Sequence, residues 1–109
     1  MHKMVVMAKA APGRVDELAR WYDERHIPDL LAVPGFVSAE RHSVVPVKQP
    51  EGMLQWDFML VYELAGANPM ATLAAMGGIM GTERMPTSDA LDSTCTLSLV
   101  GLSQHRQDN

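Results

Sequence analysis

What most constrains this chain is the way its apolar residues change period between turn signals. Met4-Val5-Val6-Met7-Ala8 is a short apolar run closed by Pro12-Gly13, and it reads as a first strand. From Arg14 the period lengthens. Val15, Leu18, Trp21, Tyr22, Arg25, His26 and Leu30 recur at three- and four-residue spacing, which predicts a helix with one buried stripe over residues 14–31. Pro28 removes a backbone donor inside that span, so the helix either kinks there or ends near Arg25. Pro34-Gly35 stops what remains.

Residues 36–47, with Val37, Val44, Val45 and Val47, read as a second strand, and residues 48–52, with Pro50 and Gly52, as a loop. Residues 53–64 read as a third strand. Trp56, Phe58, Leu60 and Tyr62 share one of its faces, and Gln55, Asp57, Met59 and Val61 the other. Residues 67–80 are Ala- and Met-rich and predict a second helix, with Asn68-Pro69 at its start and Gly77, Gly78 and Gly81 weakening its end. Residues 82–92 are expected as loop or a short helical turn. Residues 94–102, with Leu97, Leu99 and Val100, read as a fourth strand, and residues 103–109 as a polar tail.

The order β-α-β-β-α-β predicts an α+β chain of ferredoxin-like type: a four-stranded antiparallel sheet with both helices on one face. At 109 residues it is expected to form a single domain, with its core over about 4–102. Strands two and four carry apolar residues on both faces, so the far face of the sheet needs a cover. The simplest cover is the same face of a second copy, giving a two-fold homodimer.

Composition excludes several functions. With 9 Lys+Arg against 13 Asp+Glu the net charge is −4, which argues against a nucleic-acid partner. No apolar run approaches the roughly 18 residues of a membrane span. The apolar run before Lys9 is too short for a signal-peptide core, and the lone Cys95 has no intrachain partner, so a cytoplasmic protein is expected. The four histidines are scattered, with no pair at metal-binding helical spacing, and no phosphate loop or dinucleotide fingerprint is present. Neither metal nor cofactor is expected, and His26 is the only reasonable axial ligand if a haem were bound.

His26 is the leading candidate for chemistry. It lies four residues after Tyr22 and eight after Leu18, on the stripe expected to face the sheet. An imidazole there serves as general acid or base near neutral pH, or makes a structural hydrogen bond near Pro28. Tyr22 either orients a substrate beside it or packs with its hydroxyl at the rim. Trp21, Trp56 and Tyr62 are candidates to contact a flat ligand, or are plain core. Met59, Met76 and Met80 belong to a methionine set that either fills core gaps or adapts to such a ligand. Asp57 is expensive inside a sheet unless paired, and Arg41 or His42 is the expected partner. The pair would be a dimer-interface salt bridge, or Asp57 would orient a catalytic group. Asp23, Glu24 and Asp29 are expected on a solvated helix face.

The densest stretch, Trp21-Tyr22 through His26-Ile27-Pro28 to Pro34-Gly35-Phe36, resembles the EthD-like branch of the dimeric α/β-barrel proteins. The resemblance continues in Ala39-Glu40-Arg41, in residues 60–64 (Leu-Val-Tyr-Glu-Leu) and in residues 81–85 (Gly-Thr-Glu-Arg-Met), so it covers about 4–102. It implies the fold above and places His26 in a pocket between helix and sheet. The superfamily includes lyases, isomerases, decarboxylases, cyclases and monooxygenases, so the likeness alone names no reaction. The expected function is a small cofactor-independent enzyme, a lyase, dehydratase, decarboxylase or isomerase. It would act on a hydrophobic cyclic or aromatic carbonyl compound, with His26 and Tyr22 catalytic. The alternatives are a cofactor-free monooxygenase and a non-catalytic dimer that binds a small ligand.

Overall fold

Strand β1 (His2–Ala8) alternates cleanly: Met4, Val6 and Ala8 are buried, while the residues between them are more open. The computed structural model, which describes residues 1–109, pairs β1 antiparallel with β3 (Phe58–Leu64), placing Met4 opposite Tyr62 and Val6 opposite Leu60. Residues facing each other across such a ladder lie on one side of the sheet. Phe58, Leu60, Tyr62 and Leu64 therefore join Met4, Val6 and Ala8 in one apolar floor. Strand β2 (Phe36–Ser43) pairs with β3, and β4 (Leu97–Gly101) pairs with β1, giving the sheet order β2-β3-β1-β4. The helices cover the floor from one side, with Leu18, Tyr22 and Leu30 buried against it. This is the ferredoxin-like arrangement that the order of elements predicts.

The first helix is continuous past Pro28, but it changes type on the way. It runs as α1 (Val15–Trp21), a π-helical turn (Tyr22–His26) and α2 (Ile27–Leu31). The Ile27 amide donates to the Tyr22 carbonyl, five residues back. Pro28 has no N–H, and its ring would press on the carbonyl four residues earlier; widening the turn just before it relieves that contact. The proline therefore neither ends the helix nor merely kinks it. Gly35, at φ +104, ends the segment in a conformation that L side chains rarely adopt.

Three strands are shorter than their apolar runs predict. β2 stops at Ser43, because Pro46 cannot donate to a ladder; Val45 and Val47 are exposed. β3 starts at Phe58, and Trp56 lies outside it. β4 starts at Leu97, because the Asp92 side chain takes the Thr94 amide and hydroxyl into a local turn (3.1 and 2.6 Å). The second helix, α3 (Pro69–Ile79), begins with Pro69 in its first turn and with the Asn68 side chain accepting from the Ala71 amide at 3.2 Å. No helix is long and apolar enough to cross a membrane.

The far face of the sheet carries Val5 and Met7 of β1 and Met59 and Val61 of β3. Leu97 and Leu99 of β4 pair with Met7 and Val5 on the same side. Leu99 is 58% exposed.

Candidate functional site

Between the helices and the floor lies a cavity of about 280 Å³. Helix one supplies Trp21, Tyr22, His26 and Leu30, and the sheet supplies Met4, Val6 and Tyr62. Met76 of α3, with Met80 just past its end, forms the roof, and Met85, Pro86, Thr87 and Leu91 close one side. Thr96, just before β4, and Ser98 within it complete the wall. The lining is mostly apolar, with few polar groups, which is the usual character of a small-molecule site.

The π-helical turn builds the aromatic wall. In an α-helix of 3.6 residues per turn, side chains five apart diverge. The wider turn brings Trp21 over His26: their rings stack with centroids 4.5 Å apart and planes 20° from parallel. Tyr22 sits edge-on to both, 4.8 Å from Trp21 and 5.6 Å from His26. Spacing of three and four residues identifies the stripe but not this stack; Pro28 is the sequence signal that could have pointed to it.

Three polar atoms are buried with no hydrogen-bond partner: Trp21 Nε1, His26 Nδ1 and the Tyr62 hydroxyl. All three belong to residues lining the cavity. Buried polar groups are nearly always paired, so three orphans around one cavity are unusual. Burial lowers the pKa of His26 below its ordinary value, and the Asp29 carboxylate acts weakly the other way. The imidazole is therefore neutral at pH 7. Burial also pushes the Tyr22 phenol up to about 12. The Tyr62 phenol is raised further, by burial and then by its proximity to Tyr22. Both phenols stay protonated and able to donate.

Six of the residues singled out from the sequence meet here: Trp21, Tyr22, His26, Tyr62, Met76 and Met80. Four do not. Trp56 precedes β3 and is absent from the lining, so it does not share a pocket floor with Tyr62. Met59 points to the far face, because side chains alternate along β3. Asp57 does not pair with Arg41 or His42; its Oδ2 accepts from the Ala10 amide at 2.7 Å, tying down the chain just past β1. Arg41 instead donates two hydrogen bonds to Asp23, at 2.8 and 2.7 Å, and lies 4.7 Å from the centre of the Phe58 ring. Asp23 is thus an ion-pair partner rather than part of a freely solvated face, and Arg41 holds its carboxyl below the usual range. Nothing in the sequence singles out Thr87, Thr96 or Ser98. Thr87 and Thr96 reach the cavity through the path of residues 82–96, and Ser98 through its place in β4 opposite Val6. No cluster of three or more His, Cys, Asp or Glu is arranged to hold a metal ion.

The element order and the helix-covered sheet define the class: a ferredoxin-like α+β fold. Solved structures superpose on this fold over nearly the whole chain. A proposed monooxygenase from Shewanella loihica PV-4 matches with a TM-score of 0.61 at 13% identity, over 96% of this chain and 95% of that one. A mutant of MhuD, holding two manganese protoporphyrin IX molecules per active site, matches with a TM-score of 0.63 at 12% identity over the full length of both. An EthD family protein from Bacillus halodurans C-125 matches with a TM-score of 0.54 at 13% identity, over 95% of this chain and all of that one. Neither family models nor curated proteins match the sequence.

Proposed function

We propose that this chain is a small enzyme that moves protons on a hydrophobic cyclic or aromatic carbonyl compound, with His26 as general base and acid. One observation carries the reading. The neutral imidazole of His26 lines an apolar cavity beside the protonated phenols of Tyr22 and Tyr62. A neutral imidazole has a lone pair for a proton beside a carbonyl. As that proton leaves, charge grows on the carbonyl oxygen, where the Trp21 indole N–H and the tyrosine hydroxyls are available to donate. Returning the proton at another position gives an isomerase; expelling a leaving group from the neighbouring carbon gives a lyase or dehydratase.

The second reading is a cofactor-free monooxygenase, favoured by the likeness to the proposed monooxygenase from S. loihica. It shares the first step, but the deprotonated substrate then supplies electrons to oxygen. A porphyrin, as bound by the MhuD mutant, does not suit these residues. The cavity is about 280 Å³ and no Lys or Arg lines it to pair with propionates. We also propose that two copies join through the far sheet face, burying Val5, Met7, Leu97 and Leu99.

The test is deuterium wash-in. Cyclic and aromatic ketones are incubated with the protein in D2O, with and without air, and exchange beside the carbonyl is read by NMR. Exchange that His26→Gln abolishes, while ligand binding persists, supports proton transfer. Product formed only in air selects the oxygenase reading. Ketones that bind yet never exchange or react leave a carrier, and sink the catalytic role of His26.

A further inference from the structure

The same cavity constrains the charge of its ligand. None of its lining residues is Lys, Arg, Asp or Glu. Two arginines of the first helix are engaged elsewhere. Arg14 pairs with Glu17 and Asp89, and Arg25 pairs with Asp29 at 2.7 Å and donates to the Glu83 carbonyl at 2.7 Å. The Thr96 hydroxyl is also occupied, donating to the Asp92 carbonyl at 3.1 Å. What remains for a ligand is a neutral set: Trp21 Nε1–H, which only donates, the Tyr62 hydroxyl and His26 Nδ1, all buried without a partner, and the hydroxyls of Tyr22, Thr87 and Ser98. Tyr62 is 1% exposed, so its hydroxyl has no access to bulk water. A carboxylate or phosphate brought here would be buried without a counter-charge, whereas a carbonyl oxygen would satisfy donors that otherwise go unmet.

We propose that the cavity selects uncharged, flat carbonyl compounds, whose oxygen atoms accept from Trp21 Nε1–H and the Tyr62 hydroxyl, and rejects acidic forms of the same skeleton. The inference rests on this cavity being the ligand site of the proposed function, but not on any proton transfer there. It also places the reaction in sequence. The step before it must deliver its product free and neutral, released from any phosphate-bearing carrier, and a step that makes a carboxylate must follow it.

Three probes of one skeleton test this: 1-tetralone, tetralin and tetralin-1-carboxylate, titrated at pH 7 and followed by the indole N–H resonances. The chain has 2 tryptophans, and Trp56→Phe assigns the pair. The ketone is expected to bind about tenfold tighter than the hydrocarbon and to move the Trp21 N–H signal downfield. The carboxylate is expected to bind at least about a hundredfold more weakly than the ketone. Tyr62→Phe is expected to narrow the ketone's advantage over tetralin while leaving the melting temperature unchanged or higher, because it removes a hydroxyl that has no partner. A structural hydroxyl would instead lower it.

Equal binding of ketone and hydrocarbon overturns the proposal. So does a carboxylate that binds as well as the ketone, or no binding by any of the three. Selective ketone binding without deuterium exchange retains the proposal and rejects only the catalytic reading.

Discussion

Replacing Gly35 with alanine tests how the roof of the cavity is held. Gly35 joins the end of α2 to β2 at φ +104, where a side chain is strained by about 1–3 kcal/mol. An added Cβ would also meet α3: it would lie 2.2 Å from Thr72 Oγ1, 2.8 Å from Cγ2 and 3.1 Å from Cβ. The first two distances are far inside contact, and overpacking of this kind costs about 1–3 kcal/mol. Thr72 is only half-buried, so α3 has room to yield outward, and a total near 3 kcal/mol is expected. At about 4 °C per kcal/mol for a domain of this size, melting should fall by roughly 12 °C. Thr72→Ala in the Gly35→Ala background removes Oγ1 and Cγ2 but leaves the backbone strain, so about half the loss should return. Met76 lies one turn beyond Thr72 on the same face of α3 and lines the cavity, so the single variant should also weaken ketone binding. Urea unfolding of the wild type, both single variants and the double variant measures the cycle. A Gly35→Ala cost below about 0.5 kcal/mol, within the range of an ordinary surface change, would refute the close approach as the device that sets α3. Failure of Thr72→Ala to restore stability would refute the steric part.

Three further outcomes are expected. The folded-state pKa of His26 lies below the ordinary 6.5, so on acidification the unfolded chain takes up the proton first. Stability contributed by the neutral imidazole is full above pH 6.5 and is lost as pH falls below it. His26→Gln should flatten that part of a stability-against-pH curve, and an unchanged curve would contradict burial of the ring. Asp57→Ala leaves the Ala10 amide without its acceptor and should cost about 1–3 kcal/mol in chemical denaturation, whereas Asp57→Asn, which keeps a side-chain oxygen, should cost less. Arg14 holds the carbonyl and carboxylate of Asp89, and Arg25 holds the Glu83 carbonyl, so both ends of the wall-forming segment are latched to helix one. The double variant Arg14→Gln, Arg25→Gln should speed hydrogen exchange across residues 82–92 while leaving β1 and β3 protected; uniform protection would show that the buried Met85 and Ala90 suffice.

The sequence alone determined the order of elements, because periods of two and of three to four residues between Pro-Gly signals leave few other assignments. It also placed Tyr22 and His26 on the buried stripe and marked Tyr62 on the buried face of β3, since both follow from local periodicity. Strand ends were not legible in the same way. Apolar runs continue past Ser43 and begin before Phe58, and it is Pro46 and the side chains of Asp57 and Asp92 that divert the backbone from the ladder. From sequence Asp57 reads as one half of an ion pair, because a carboxylate in a strand needs a partner, and sequence cannot distinguish an arginine from a backbone amide 47 residues away. Arg41 found Asp23 across the helix–sheet interface for the same reason: which charges meet depends on how α1 and its π turn lie over β2. Above all, the stacking of Trp21 on His26 is decided by the helix changing type before Pro28, and the cavity by the return of residues 82–96 to the sheet. Residue types and their local spacing are properties of the chain; a convergence of three unpartnered atoms from a helix and a strand belongs only to their packing.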